Sequence, residues 1–276
     1  MEKYIDLHTH STASDGTFTP TEVVKAAKDA GLSAIALTDH DTIAGLEEAI
    51  EAGKKYGIEV ITGIEFSVTT DTKLHLIGLN FSLDCPEIRN VLDDLIKSRD
   101  SRNIEVINKL QAMGFDVTLD DTLEFASSNV VGKSQIARAM IKKGYVSTVK
   151  EAFEKYLGIG TPAYVKRETL SPEKAIEIIK KSGGFTSLAH LNQTNRSDEE
   201  LYTLLSGLKA AGLDAVEGYY TEYTEDMNIR YRKLASDLGL KLTGGSDFHG
   251  KNKDGYAIGT GSGNLRIPYS LLESFR

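Results

Sequence analysis

The chain has 276 residues, with 40 acidic and 32 basic side chains, six histidines and a formal net charge of −8. Hydrophobic residues make up 40% and charged residues 26%, the balance of a globular protein and not of a disordered one. The acid excess argues against a broad basic face for duplex DNA, since such binding rests on phosphate neutralisation; no apolar run approaches the ~20 residues that cross a bilayer. The single cysteine, Cys85, allows no intrachain disulfide and fits a reducing compartment. Met1-Glu2-Lys3-Tyr4-Ile5-Asp6 lacks a basic region followed by an apolar one, so the expected location is cytoplasmic, with no membrane partner.

Short apolar segments alternate with helical patterns from the start. Lys3–Leu7 reads as a strand. Thr19-Pro20-Thr21-Glu22 is a capping box with proline at the first helical position, and Val23, Val24, Ala27 and Ala30 continue the helix to Gly31. Ser33–Leu37 reads as a second strand and Leu46–Tyr56 as a helix closed by Gly57. Ile58–Ile61, extended by Gly63–Val68, is a third strand, and Leu74–Leu79 a fourth.

From Pro86 to Gly158 the periodicity is almost wholly helical. One long helix or two run from Ile88 to Leu110, with shorter ones around Asp120–Ala126, Lys133–Lys143 and Thr148–Tyr156. Alternation then resumes. Ser171-Pro172-Glu173 caps a helix running to Lys181, followed by a strand at Gly184–Ala189 and a helix at Ser197–Ala211. Asp214–Tyr219 is a strand, Thr224–Leu238 a helix and Leu240–Gly244 a strand. Strands separated by helices imply a parallel sheet, open or closed. The expected organisation is an α/β body from residues 1–85 and 159–276, interrupted by a helical insertion at 86–158.

The histidines are not scattered. His8 and His10 form an HxH at the end of the first strand, where extended residues two apart share a face. Asp15 follows in a Ser/Gly-rich loop, His40 follows Asp39 at the end of the second strand, and Glu65 follows the third. His75 lies in the fourth strand, His190 ends the strand after the insertion, and Asp247 and His249 follow the last. Nearly all fall at carboxyl ends of expected strands, the face where α/β folds build their sites. Nine side chains of imidazole and carboxylate type suggest several ions of Zn, Mn, Fe or Ni, and the absence of thiolate argues against a Cys-type structural zinc. Nine ligands over three ions leave open positions for water and substrate.

These residues carry a resemblance. Asp6-Leu7-His8-Thr9-His10-Ser11 with Asp15-Gly16, then Leu37-Thr38-Asp39-His40-Asp41, Gly63-Ile64-Glu65, His75, Ala189-His190 and Gly245-Ser246-Asp247-Phe248-His249 resemble the PHP (polymerase and histidinol phosphatase) phosphoesterase family. The resemblance implies a distorted (β/α)7 barrel with three divalent ions, Mn, Zn or Fe, at its carboxyl rim. It implies that His8, His10, Glu65 and Asp247 hold one ion, Asp15, His40 and His249 a second, and Glu65, His75 and His190 the third, with Glu65 bridging. Asp15, His190 and Asp247 are expected to take part in catalysis as well. Asp6 and Asp39 fit either a role orienting ligand imidazoles or that of strand-end turn carboxylates.

Within the family the chain looks most like the stand-alone group with a helical insertion, which includes 3′,5′-nucleoside bisphosphate phosphatases and 5′→3′ exonucleases on short RNA. Gly132-Lys133-Ser134-Gln135-Ile136-Ala137-Arg138 is similar to a GRPHxAR segment whose cations would face substrate phosphate. Here Lys133, Ser134 and Gln135 replace Arg, Pro and His, Arg138 is retained, and Ala189-His190-Leu191 stands for Ala-His-Pro. The insertion is expected to cap the substrate, with Lys133 and Arg138 binding it; a solvated helix face is the other reading of Arg138. Tyr219 and Tyr220 fit either the pocket or barrel packing.

The implied activity is hydrolysis of a phosphomonoester by a metal-bound hydroxide, the substrate a small phosphorylated nucleotide or a 5′-phosphorylated short RNA. A histidinol-phosphate phosphatase shares the signature. An inactive metal-binding interaction module is the reading from another class. Three dications would bring the formal charge from −8 to −2, with positive charge gathered in one cleft.

Overall fold

The computed structural model describes residues 2–68, 74–126 and 131–276. The chain forms two compact units, one from Met1–Asn90 with Leu170–Arg276 and the other from Val91–Thr169. No helix among the described residues is long and apolar enough to cross a membrane.

The first unit is built on seven strands in the order of the chain: β1 (Ile5–Asp6), β2 (Ala34–Leu37), β3 (Glu59–Val68), β4 (Leu74–Leu79), β5 (Phe185–Leu188), β6 (Ala215–Tyr220) and β7 (Lys241–Gly245). Helices α1 (Pro20–Asp29) and α2 (Leu46–Tyr56) connect the early strands; α7 (Pro172–Lys181), α8 (Asp198–Ala210) and α9 (Glu225–Leu238) the later ones. Their starts are written in the sequence. Thr19 and Glu22 form a reciprocal capping box ahead of Pro20, and Ser171 caps α7 by accepting from the Lys174 N–H at 3.2 Å. The sheet closes on itself. The Leu7 N–H donates to Gly244 O at 3.0 Å, the Asp247 N–H to His8 O at 2.9 Å, and the His10 N–H to Phe248 O at 2.9 Å. A Cβ on Gly245 would overlap His8, so closure at this point needs glycine.

Two expectations are corrected. The first strand is not Lys3–Leu7 but only Ile5–Asp6, because Leu7 and the residues after it pair singly across to the β7 side. The sheet is not wholly parallel: β4 runs antiparallel to both β3 and β5, with Ser67 opposite His75 and Leu76 opposite Leu188. Only five residues separate β3 from β4, and a parallel crossover needs a dozen or more. The reversal puts the amino end of β4, and with it His75, at the rim where the other strands present their carboxyl ends.

The opposite end of the barrel is apolar. Ile5, Leu7, Ala34, Ile61, Leu79, Phe185 and Ile267 pack there, and Phe185 stacks on Phe275 at 3.8 Å between ring centroids. That packing supports the rim from below.

Among the described residues the regular structure of the second unit is all helical. It holds most of α3 (Pro86–Ala112), which is one helix, then α4 (Leu119–Leu123), α5 (Lys133–Lys142) and α6 (Val149–Ala152), which continues as a π turn through Leu157. Val106, Leu110, Val117, Ile136, Met140 and Leu157 form its core. The last unit-one helix is α10 (Ser270–Glu273).

Candidate metal centre

β1 and the residues after it point alternately in and out. His8 and His10 turn into the rim and are fully buried, while the hydroxyl of Thr9 donates the other way to Ala36 O at 2.7 Å. β2 delivers His40, whose backbone bridges to that of Glu65 on β3. His190 follows β5 by two residues, and Asp247 and His249 follow β7 by two and four.

Glu65 is the hub. Its Oε1 lies 2.7 Å from His75 Nδ1 and 2.9 Å from His190 Nε2. Its Oε2 lies 3.0 Å from His40 Nδ1, 3.3 Å from His10 Nε2 and 3.4 Å from His8 Nε2. Asp247 Oδ1 stands 3.4 Å from His10 Nε2 and 3.6 Å from His8 Nε2. Asp15 Oδ1 is 3.2 Å from His249 Nε2, and its Oδ2 is 3.9 Å from His40 Nε2. Three groups are close enough for each to hold an ion: His10, Asp15, His40 and His249; His8, His10 and Glu65; His40, Glu65 and His75. All nine sequence-derived residues therefore come together at one rim. Lys133 and Arg138 belong to the helical unit.

The chemistry of these atoms fits cations. Tetrahedral ligands at about 2.1 Å from a metal stand about 3.4 Å apart, and the atoms of His8, His10, Glu65 and Asp247 are separated by 3.3–3.6 Å. His8 Nε2, both nitrogens of His10 and Glu65 Oε2 are buried without a hydrogen bond among the described residues. Buried polar atoms normally have a partner, so this orphaned group points to one that the protein itself does not supply.

Charge in the cleft is strongly coupled. Burial opposes the imidazolium of His10, but Asp247 and Glu65 overcome it and push its pKa up to about 9. His8 goes the same way, burial being outweighed by Glu217, Glu65 and Asp247. Burial acts against the charged forms of Glu65 and Asp247 too, yet the surrounding imidazoles hold both carboxyls well below the usual range. His190 and His249 are pushed down, chiefly by burial. Carboxylates held ionised, beside His8 and His10 drawn toward their charged forms, mark a cleft that favours positive charge.

The supporting contacts revise one expectation and add residues. Asp6 and Asp39 do not orient imidazoles. Asp6 accepts from the backbone N–H groups of Ser246 and Gly259 and from the Ser246 hydroxyl at 2.6 Å, tying β1 to the β7 loop. Asp39 accepts from the Ser11 N–H and the hydroxyls of Ser11 and Ser14, at 2.5–2.8 Å, and holds the loop leading to Asp15. They are strand-end carboxylates, satisfied by backbone and hydroxyl donors. The imidazole-orienting carboxylate is Glu217 on β6, fully buried. Its Oε1 is 2.8 Å from His8 Nδ1, and its Oε2 accepts the His190 N–H at 2.6 Å. A proton on His8 Nδ1 satisfies that contact and aims Nε2 at Glu65 and Asp247.

β6 carries a bulge between Glu217 and Tyr219. Strict alternation would send Glu217 and Tyr219 inward together. The bulge instead turns Tyr220 in and Tyr219 out. The Tyr220 hydroxyl donates to Asp247 Oδ2 at 2.7 Å, whereas Tyr219 lies under the Arg232 guanidinium at 3.8 Å. Asp41, His190 and Asp247 adopt positive φ of 52°, 27° and 55°. Such strain, of order 1–3 kcal/mol each, persists only where surrounding contacts over-determine the backbone.

In the helical unit, Gln135 is occupied locally: its side-chain oxygen accepts the Gly132 N–H at 2.9 Å, closing the start of α5. Lys133 Nζ donates to Leu157 O at 3.0 Å and lies 4.8 Å over the Tyr164 ring. Burial, with the Arg102 guanidinium nearby, pushes its pKa down to about 8.

A closed α/β barrel with imidazoles and carboxylates converging at one rim is the architecture of a metal-dependent hydrolase, and similarity to known proteins narrows the chain to a metal-dependent phosphoesterase, acting on phosphoric ester bonds. The PHP domain model matches residues 6–227, and the chain belongs to the PHP family. It is 37% identical over 263 residues to a 5′-3′ exoribonuclease of Haemophilus influenzae, covering 92% of this chain and 96% of that one. It is 31% identical over 257 residues to a 3′,5′-nucleoside bisphosphate phosphatase of Chromobacterium violaceum, covering 92% and 90%. The solved structure of an amidohydrolase from Chromobacterium violaceum with bound sulfate superposes with a TM-score of 0.86 at 30% identity, covering 99% and 96%.

Proposed function

We propose that the nine rim side chains hold three divalent ions, of Mn, Zn or Fe, and that the chain hydrolyses a phosphomonoester of a 3′,5′-nucleoside bisphosphate or of a short 5′-phosphorylated RNA. The observation that carries this reading is the sharing of Glu65, one oxygen facing His75 and His190 and the other facing His8, His10 and His40. His8, His10, Glu65 and Asp247 hold one ion in this scheme, Asp15, His40 and His249 the second, and Glu65, His75 and His190 the third. Bound divalent ions supply Lewis acidity, acidifying water and neutralising charge on the attacking and leaving oxygens of a phosphoryl transfer.

The protein's share is orientation. Glu217 fixes the His8 ring and the His190 backbone at once. Tyr220 holds one oxygen of Asp247, which leaves the other for the imidazoles' side. Asp15 and His40, 38% and 24% exposed, form the open side by which a phosphate enters. Asp15, His190 and Asp247 act directly on the reacting group's surroundings, as the ligands around it. The helical insertion serves as the substrate cap, with Lys133 and Arg138 as its phosphate contacts. The names of the two relatives support a nucleotide or RNA substrate.

Phosphate release from Mn-loaded protein tests this. A 3′,5′-bisphosphonucleotide or a 5′-phosphorylated oligoribonucleotide is expected to turn over faster than histidinol phosphate or p-nitrophenyl phosphate. Preference for histidinol phosphate would overturn the substrate reading. No release from any of the four, with metal bound, would overturn the whole.

A further inference from the structure

One cation enters the rim from a segment that no motif marks. Lys253 follows the short 3₁₀ turn Gly250–Asn252, in the loop after His249. Its Nζ contacts Asp247 Oδ2, the same oxygen that accepts from Tyr220. The other oxygen of that carboxylate, Oδ1, faces His8 and His10. The ammonium also feels the charges of Glu65 and Asp15, the other two candidate carboxylate ligands.

The loop that carries it is pinned. The Lys251 N–H donates to the Thr17 hydroxyl at 2.8 Å, and the Asn252 side-chain amide donates to Asp15 O at 2.6 Å. Both anchors lie in the segment that bears Asp15. The base of the lysine is thus tied to the site, while its side chain keeps 32% exposure. An ammonium has three donors, and the contact with Asp247 uses one. Lysine is a compact point charge on a flexible stem, suited to an oxygen whose position varies between substrates.

We propose that Lys253 is a phosphoryl-binding residue of this enzyme: with one N–H on Asp247 Oδ2, it donates another to a non-bridging oxygen of the phosphomonoester lying over the rim. The inference rests on the metal-centre reading above. It adds a phosphate donor on the barrel unit itself, where the other rim side chains named are proposed ion ligands or their supports. A phosphate oxygen bound to lysine through a charge-assisted hydrogen bond gains both charge and direction.

The test uses Lys253→Met and Lys253→Arg in the full chain loaded with Mn, with inorganic phosphate as the probe. Phosphate affinity is read by calorimetry and metal content by elemental analysis, beside KM and kcat. Lys253→Met is expected to keep its metal and to bind phosphate about tenfold more weakly, the scale of one charged contact. KM is expected to rise alongside, and Lys253→Arg to restore most of the affinity. Unchanged phosphate affinity in Lys253→Met would overturn the proposal. Loss of metal would overturn it too, since Lys253 would then be a support for Asp247. If the wild-type protein takes up no metal, the metal-centre reading itself falls, and this proposal with it.

Discussion

The barrel rim and the helical unit hold their charged side chains in different ways. At the rim the groups crowd on one another: five imidazoles face Glu65, Tyr220 and Lys253 hold Asp247, and Glu217 holds His8 from behind. In the helical unit Lys133 rests against aromatic faces and one carbonyl, and Arg138 is half-buried. The lesson is one of tolerance. A coordination site fails when one ligand moves, so its surroundings over-determine every position; a phosphate contact tolerates a flexible cation. Substitutions at the rim should therefore cost metal and rate together, and those in the helical unit should cost substrate affinity alone.

The largest expected effect is at the rim. Asp247→Ala or His40→Ala should lower activity by about 10³-fold or more, the scale of losing a principal electrostatic group. Elemental analysis should find metal lost with it. Retained activity with full metal in either variant would break the contrast. Glu217→Gln touches no proposed ion, yet it removes the charge behind His8. Metal affinity should fall by roughly 10–100-fold, as measured by titration of metal-free protein. An unchanged affinity would show that Glu217 is only packing.

The legible part of the site is the part dictated by backbone period. His8 and His10 are readable because an HxH at a strand end sends both rings to one side. Asp15, His40 and His249 are readable as further ligand types after successive strands. The place of His75 is less direct. It lies at an amino end, and only the shortness of the link from β3 to β4, too brief for a helical crossover, tells that β4 is reversed. The choice between Tyr219 and Tyr220 was hidden by the β6 bulge, which resets the alternation after Glu217 and has no single-residue signature, and nothing local marks Glu217 as the partner of His8. The roles of Asp6 and Asp39 could not be read from their spacing. Each sits two residues before, or next to, a histidine, but its side-chain partners are hydroxyls from other strand ends, Ser246 brought in by closure of the barrel and Ser11 from the neighbouring strand. Lys253 lies in a loop whose composition resembles any solvated turn.

The helical unit should respond more gently. Arg138→Ala is expected to raise KM about tenfold, the cost of one charged contact, with metal content unchanged. Loss of metal in that variant would blur the division between the two regions. Lys133 adds a pH signature. With its pKa pushed down to about 8, it carries charge below that pH and loses it above. KM for a phosphorylated substrate should therefore rise as pH passes through 8. Lys133→Arg should flatten the rise, because guanidinium stays charged. A KM independent of pH from 7 to 9 in the unaltered chain would remove Lys133 from substrate binding.

The smallest effect serves as a control. Thr19→Ala breaks the exposed capping box of α1, far from any proposed ligand, and should cost about 1 kcal/mol of stability in chemical denaturation. Activity per folded molecule should not change.

The central claim is that one carboxylate, Glu65, joins the rim side chains into a single centre of three ions. It is tested most directly by counting ions per chain in Mn-reconstituted protein, unaltered and as Glu65→Gln. Three ions per unaltered chain are expected, with Glu65→Gln losing more than one of them, because both of its oxygens serve. A count of one in the unaltered chain, or a Glu65→Gln variant that keeps all three, would contradict the account.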